Sequence, residues 1–295
     1  MNTTTAKLTD KAMVLACVDH SPYAPRVADW AAWAAQRLNT GLELLHVLDR
    51  DQPLQSDQDH SGALGVNAQE NLLKKIVDEQ ELRSRQARET GRRLLNDLRQ
   101  RVIDQGLTLV DMRQRHGELI ESLLERQNQT VLVVMGRRGH SSGTTSRELG
   151  SNLEHVVRAM NRPILTVTDE FKIPKRLLIA YDGGSASRKG VEMVATSPAF
   201  AGMACSVVMV KSSATKDAPK QLAGVQARLA QAGLDVDTHL LIGDFETLMS
   251  KSIQTLGADL LVMGAYTRSP IRSLFTGSHT TDLLRAARIP TLLLR

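Results

Sequence analysis

The chain repeats itself. The apolar run AMVLACV, from Ala12 to Val18, ends in Asp19, and the run RLLIAY, from Arg176 to Tyr181, ends in Asp182. Cys205 to Val210 then matches Leu42 to Val47, and Gly243-Asp244 matches Gly117-Glu118. Leu260 to Gly264 (LLVMG) matches Leu132 to Gly136 (LVVMG), and Pro290 to Leu294 matches Pro163 to Val167. A duplication on this scale constrains the fold more than any single motif, because both halves must satisfy one architecture.

That architecture follows from the periodicity. Short apolar runs bounded by turn residues suit strands buried on both faces of a parallel sheet. Between Ala12-Val18 and Leu42-Leu48 lies a segment, Tyr23 to Leu38, with Val27, Trp30, Ala31, Ala34 and Leu38 at helical spacing. A long helix over about 66–105 follows, then a strand over 107–114, a helix after Gly117-Glu118, a strand over 131–135, a helix from Ser151 and a last strand over 163–167. Strands alternating with helices imply right-handed crossovers and a sheet covered on both sides. The expectation is therefore α/β: two tandem copies of an open five-stranded parallel-sheet sandwich, over 1–169 and 175–295. Asp169 to Pro174 is the linker, and a polar insertion near 49–67 reads as a mobile loop, with a nucleotide lid or a partner contact as the alternative.

Composition narrows the function classes. With 42% hydrophobic and 23% charged residues in 295, the chain is an ordinary globular protein rather than a disordered one. Aromatics make up only 3%, so the stacking platforms of a single-stranded nucleic-acid binder are missing, and 37 basic against 32 acidic residues is too mild an excess to suggest a nucleic-acid partner. The most charged stretch, Glu70 to Asp104, alternates nine Lys/Arg with seven Asp/Glu and reads as a solvated helix face. No apolar run has the ~18 residues of a membrane helix, and the polar N-terminus lacks a signal pattern. Cys17 and Cys205 sit in apolar runs without metal or disulfide spacing, as buried thiols of a reducing compartment do. A cytoplasmic protein is expected.

In an open parallel sheet, ligands bind at the carboxyl ends of the strands, where the strand order reverses. Three features of each copy converge there: Asp19 or Asp182 ending the first strand, the second-strand backbone at Val47 or Val210, and a Gly-bearing loop after the fourth strand. The first loop runs Met135-Gly136-Arg137-Arg138-Gly139-His140 and on to Gly150-Ser151-Asn152. Its glycines allow close backbone approach to a phosphate, the following helix directs N–H groups at it, and Ser151 and Arg137 or Arg138 add donors. Asp19 suits donors such as a ribose hydroxyl or an adenine amino group. Histidines at metal-site spacing, a Gly-x4-Gly-Lys-Ser/Thr loop and a Gly-x-Ser-x-Gly elbow are all missing from the sequence. Asp182-Gly183-Gly184-Ser185-Ala186-Ser187 reads as a turn feeding a helix.

Met135 to Gly139 with Gly150-Ser151 resembles the Gly-x2-Gly-x9-Gly-Ser/Thr signature of ATP-binding universal stress proteins. Asp19 and Asp182 match the Asp that ends the first strand in that family, and the similarity covers nearly the whole chain twice. The resemblance implies an adenine nucleotide alpha hydrolase-like, Rossmann-like fold in each half, with the halves pairing through their last strands as an intramolecular pseudo-dimer. It further implies that Asp19 and the Val47 backbone contact adenosine, that the Gly loop with Ser151 holds phosphates, and that ATP, with or without Mg²⁺, is bound by a regulatory module of the stress response. A further homodimer or a protein partner is compatible with it. The signature is irregular in both copies. Ten residues rather than nine separate Gly139 from Gly150. In the second copy, Gly264, Thr267, Arg268, Gly277 and Ser278 keep the spacing of nine, but Thr267 replaces the second glycine. The first copy is therefore expected to be the better site. A slow ATP-hydrolysing or adenylating enzyme, and a scaffold that has lost nucleotide binding, are the alternatives.

Overall fold

The computed structural model describes residues 12–48, 68–137, 151–168, 170–264 and 289–295. In the first half, β1 (Met13–Cys17), α1 (Ala24–Leu38), β2 (Gly41–Leu48), α2 (Ala68–Asp104), β3 (Val110–His116), α3 (Leu119–Arg126), β4 (Thr130–Gly136), α4 (Ser151–Ala159) and β5 (Ile164–Val167) follow one another. The second half repeats the order with β6 (Arg176–Ala180), α5 (Ser185–Thr196), β7 (Ala204–Lys211), α6 (Ala218–Gln231), β8 (Asp235–Ile242), α7 (Phe245–Thr255), β9 (Leu260–Gly264) and β10 (Thr291–Leu294). The strands form one ten-stranded sheet in the order β3-β2-β1-β4-β5-β10-β9-β6-β7-β8. Within each half all neighbours run parallel, and β5 and β10 join the halves antiparallel. The last-strand pairing implied by the resemblance is thus the arrangement found.

Strand alternation divides the core into two layers. Val14, Ala16, Leu42 and Leu44 face α1 and the docked part of α2, in a layer that continues into Leu177, Ile179, α5 and α6. Leu15, Leu45, Val133 and Met135 face α3 and α4, in a layer that continues into Leu178, Leu261 and α7. Both layers cross the seam without a break. Along it Thr166 and Thr291, each fully buried, stand opposite one another, and Thr166 Oγ1 donates to the Thr291 carbonyl at 3.2 Å. The linker is anchored as well: Trp30 Nε1 donates to the Glu170 carbonyl at 3.3 Å, and Phe171 meets the Trp30 ring edge-on at 5.1 Å. Arg37 of α1 reaches across to the carbonyls of Ala199 and Ala201.

The third strand starts later than the apolar pattern predicts. Leu107 is buried in the core, but its N–H closes the end of α2 on the Val102 carbonyl, next to Gly106 at φ +90°. Pairing with β2 begins only at Val110. Leu107 is apolar because it packs under the helix terminus, not because it belongs to the strand. The turn expected after Asp182 is present, with Gly183 at φ +83° and Gly184 at the N-terminus of α5. The insertion at 49–67 lies outside the described residues.

Both cysteines carry thiols pushed up to about 12. For Cys17 burial is the main cause, aided by the Asp19 carboxylate; for Cys205 it is burial and the Asp237 charge, partly offset by Arg176. Because the thiolate is the reactive form, neither is expected to react with a disulfide reagent at pH 8 in the folded chain. Both should titrate after denaturation; rapid labelling of two thiols in the native protein would contradict this.

Candidate functional site

The strand register brings the sequence-selected residues to equivalent places in the two halves. Cys17 stands level with Leu45 and Met135, so Asp19, Val47 and Gly136 lie just beyond them at the carboxyl edge of three adjacent strands. Ala180 stands level with Val208 and Met263, and Asp182, Val210 and Gly264 follow in the same way. The chain runs outward from β1 to β2 and β3, then returns to place β4 on the other side of β1. Each cluster therefore sits at the point where the strand order reverses, the usual ligand position in such sheets. Because β5 and β10 are antiparallel, the two clusters lie on opposite edges of the ten-stranded sheet.

The local hydrogen bonds repeat too. Val18 N–H donates to the Leu45 carbonyl at 2.9 Å, and Tyr181 N–H to the Val208 carbonyl at 2.9 Å. In a strand, every second residue directs its N–H and C=O to the same neighbour. Val47 and Val210 therefore point theirs past the end of the first strand, over the aspartate. Asp19 Oδ1 accepts the Ser21 N–H at 3.0 Å, and Asp182 Oδ1 accepts that of Gly184 at 2.8 Å, so each carboxylate is oriented by its own turn.

The surroundings then diverge. Ser187 Oγ donates to Asp182 Oδ1 at 2.6 Å, and Lys211 Nζ donates to the Asp182 carbonyl at 3.1 Å. Five residues after Asp19 stands Ala24, and the counterpart of Lys211 is Leu48, so neither contact has an equivalent in the first half. Neither Ser187 nor Lys211 was singled out by sequence reasoning. Comparing the two copies position by position, a hydroxyl against Ala24 and an ammonium against Leu48, is the signal that would have found them.

Two of the expected site residues also have structural contacts. Arg137 or Arg138 was expected to add charge at the Gly loop; the Arg137 guanidinium crosses the seam and donates from Nη2 to the Ile289 carbonyl at 2.8 Å and to Thr291 Oγ1 at 3.1 Å, while Arg138 lies outside the described residues. Arg137 is mostly buried, and these acceptors at the start of β10 satisfy Nη2 and so offset part of the cost of its desolvation. Gly264 was expected to admit a phosphate. A Cβ there would come within 2.8 Å of Ala186 Cβ and 3.3 Å of the Ser187 N, so its smallness also lets α5 approach the sheet. Gly264→Ala should force α5 outward and lower stability by about 1–3 kcal/mol, measurable by urea denaturation; an unchanged midpoint would show that α5 yields at no cost.

His46 is the other feature not anticipated. Its ring is 3% exposed, Nδ1 donates to the Val18 carbonyl at 2.9 Å, and His20 meets it edge-on at 5.0 Å. Nε2 has no hydrogen-bond partner among the described residues. A Cβ on Gly91 of α2 would stand 2.7 Å from the His46 ring. The signal was a polar residue in the run LELLHVL where the second copy has Met209.

Asn152 lies in the first turn of α4, which begins at Ser151. Gly139, His140, Gly150, Thr267, Arg268, Gly277 and Ser278 lie outside the described residues. Among the described residues, no group of three His, Cys, Asp or Glu side chains is placed to hold a metal ion. No described helix is long and apolar enough to cross a membrane.

Comparison with known proteins gives the family. The sequence model of the Universal stress protein family matches the chain twice, over residues 13–168 and 174–295. The chain belongs to the universal stress protein family. Universal stress protein Slr1230 of Synechocystis sp. is 28% identical over 284 residues, covering 96% of this chain and 99% of its own, so both have the tandem length. Among solved structures, a universal stress protein from Archaeoglobus fulgidus DSM 4304 superposes with a TM-score of 0.72 at 16% identity, covering 96% of each chain. A putative universal stress protein from Pseudomonas aeruginosa UCBPP-PA14 gives 0.62 at 17% identity, over 97% of this chain and 94% of that one. These likenesses establish the fold of this universal stress protein over 96–97% of its length, while the chemistry rests on its own residues.

Proposed function

We propose that this universal stress protein binds ATP or a closely related adenine nucleotide at the carboxyl edge of its first half, as a nucleotide-dependent regulatory module of the cytoplasmic stress response. The observation that carries the reading is the doubled edge. Twice in one chain, in the same register, an Asp oriented by its own turn, a second-strand backbone group and a Gly-ended fourth strand meet at the strand-order reversal.

The donor set fits an adenosine with phosphates. Asp19 accepts hydrogen bonds from a ribose hydroxyl or adenine amino group, and the Val47 backbone offers one donor and one acceptor to the base. The phosphates are offered the N-terminus of α4, which begins at Ser151, where backbone N–H groups and the helix dipole favour negative charge. The first half keeps both glycines of the loop, Gly136 and Gly139, where the second has Thr267 in place of the second glycine, which makes the first half the stronger site.

Calorimetric titration of the full chain with ATP tests this. The expected stoichiometry is near one. Asp19→Ala should weaken binding by about tenfold to a hundredfold, the worth of a hydrogen bond to a charged group, with the circular dichroism spectrum unchanged. Asp182→Ala should have a much smaller effect. No titratable heat in the parent chain, or equal losses from the two substitutions, would overturn the proposal.

A further inference from the structure

Helix α2 runs from Ala68 to Asp104, but only its C-terminal part is docked. Gly91, Leu95, Leu98 and Val102 are buried, whereas no side chain from Lys74 to Thr90 is. The Arg88 carbonyl still accepts a hydrogen bond from Gln114 Nε2 of β3 at 3.2 Å, so the arm proper, Lys74 to Ala87, is about 21 Å long at 1.5 Å per residue. A mostly polar helix with no buried side chain among the described residues is either held by its own ion pairs or meets a partner. The pairs within the arm, Glu79–Arg83 at 3.9 Å and Glu89–Arg93 at 3.2 Å, are exposed and contribute little.

The order of charges identifies the partner. Leu82, 57% exposed, lies nine residues before Gly91, about two and a half turns, and so on the face opposite the docked one. At three, four and seven residues either side of it, the neighbours on that face, stand Glu79 and Arg85, Asp78 and Gln86, and Lys75 and Glu89. Immediately adjacent are Glu81 and Arg83. Reversing the arm about Leu82 thus sets acid against base three times, and between Lys74 and Thr90 it never sets like charge against like. A reversed copy of the same helix is what a two-fold axis presents, since an isologous contact must be self-complementary.

We propose that two copies of this chain associate through α2 as an antiparallel helix pair, with the two-fold axis at Leu82. Leu82 meets its symmetry mate, flanked by Glu79–Arg85 and Lys75–Glu89 pairs, each made twice. The bodies, docked on the opposite face of each helix, stay on the outside of the pair. The contact is independent of nucleotide binding and, being largely ionic at the surface, is weak and salt-sensitive.

Sedimentation velocity of the full chain at about 50 mM and about 500 mM NaCl should show concentration-dependent dimerisation that the higher salt weakens. Glu79→Arg should weaken association by roughly tenfold or more, and the double swap Glu79→Arg with Arg85→Glu should restore it, because the swap exchanges the two ends of each pair. These positions are exposed, so the fold is not at stake. Leu82→Cys should give an intermolecular disulfide on mild oxidation, and Val77→Cys, on the far side of the helix, should not. A chain that stays monomeric at low salt overturns the proposal. So does a dimer indifferent to Glu79→Arg, or a double swap that fails to restore association.

Discussion

Replacing both Arg113 and Arg126 with alanine will destabilise the chain by about 4 kcal/mol, and adding Glu43→Leu to the same variant will recover most of that loss. Glu43 lies in the middle of β2, 1% exposed, with Arg113 Nε 3.1 Å from Oε1 and Arg126 Nη2 bonded to Oε2. Both guanidinium groups retain some exposure and can turn to water, while the carboxylate cannot. Removing both cations leaves an uncompensated buried charge, with Asp111 directly across the strand pair. Converting the carboxylate to an apolar group of similar volume removes that penalty, since buried ion clusters often do no better than well-packed hydrophobic residues. Scanning calorimetry should show the double variant lower in Tm by about 8–15 °C and the triple variant close to the parent. A triple variant as unstable as the double would mean that the arginines act through packing rather than charge.

Arg101→Ala should cost about 3 kcal/mol, with its largest effect on the docking of α2. Asp29, 3% exposed on α1, receives Arg101 Nε at 2.6 Å, Arg101 Nη2 at 2.9 Å and Gln105 Nε2 at 2.7 Å. This is the main polar tie between α1 and α2, added to the packing of Leu95, Leu98 and Val102. Without the arginine, one amide is left facing a buried carboxylate. The expected result is faster amide exchange along α2 than along α1, together with a lower urea midpoint. Arg101→Lys should recover only part of the loss, because an ammonium cannot make the bidentate contact. Uniform exchange across both helices would show that Asp29 supports the whole half rather than this helix.

The alternation of short apolar runs with helical segments, stated twice, was enough to read the sheet, its two covered faces and the position of the candidate edge. Period and burial are local consequences of where a side chain points, so they are written into the order of residues. The Asp19 and Asp182 turns were legible for the same reason, as each is made within two residues. What the order of residues left open depends on who stands opposite whom. Arg137 looked like a phosphate ligand because its neighbours in sequence are glycines; its acceptors lie some 150 positions away across the seam and exist only once β5 and β10 pair. Gly264 looked like a ligand glycine, and the approach of α5 gave it another purpose. Glu43, His46 and Asp29 showed in the sequence only as polar residues in apolar surroundings. A buried charge or imidazole is stable only with partners supplied by other elements, and only the tertiary structure decided which partners those are.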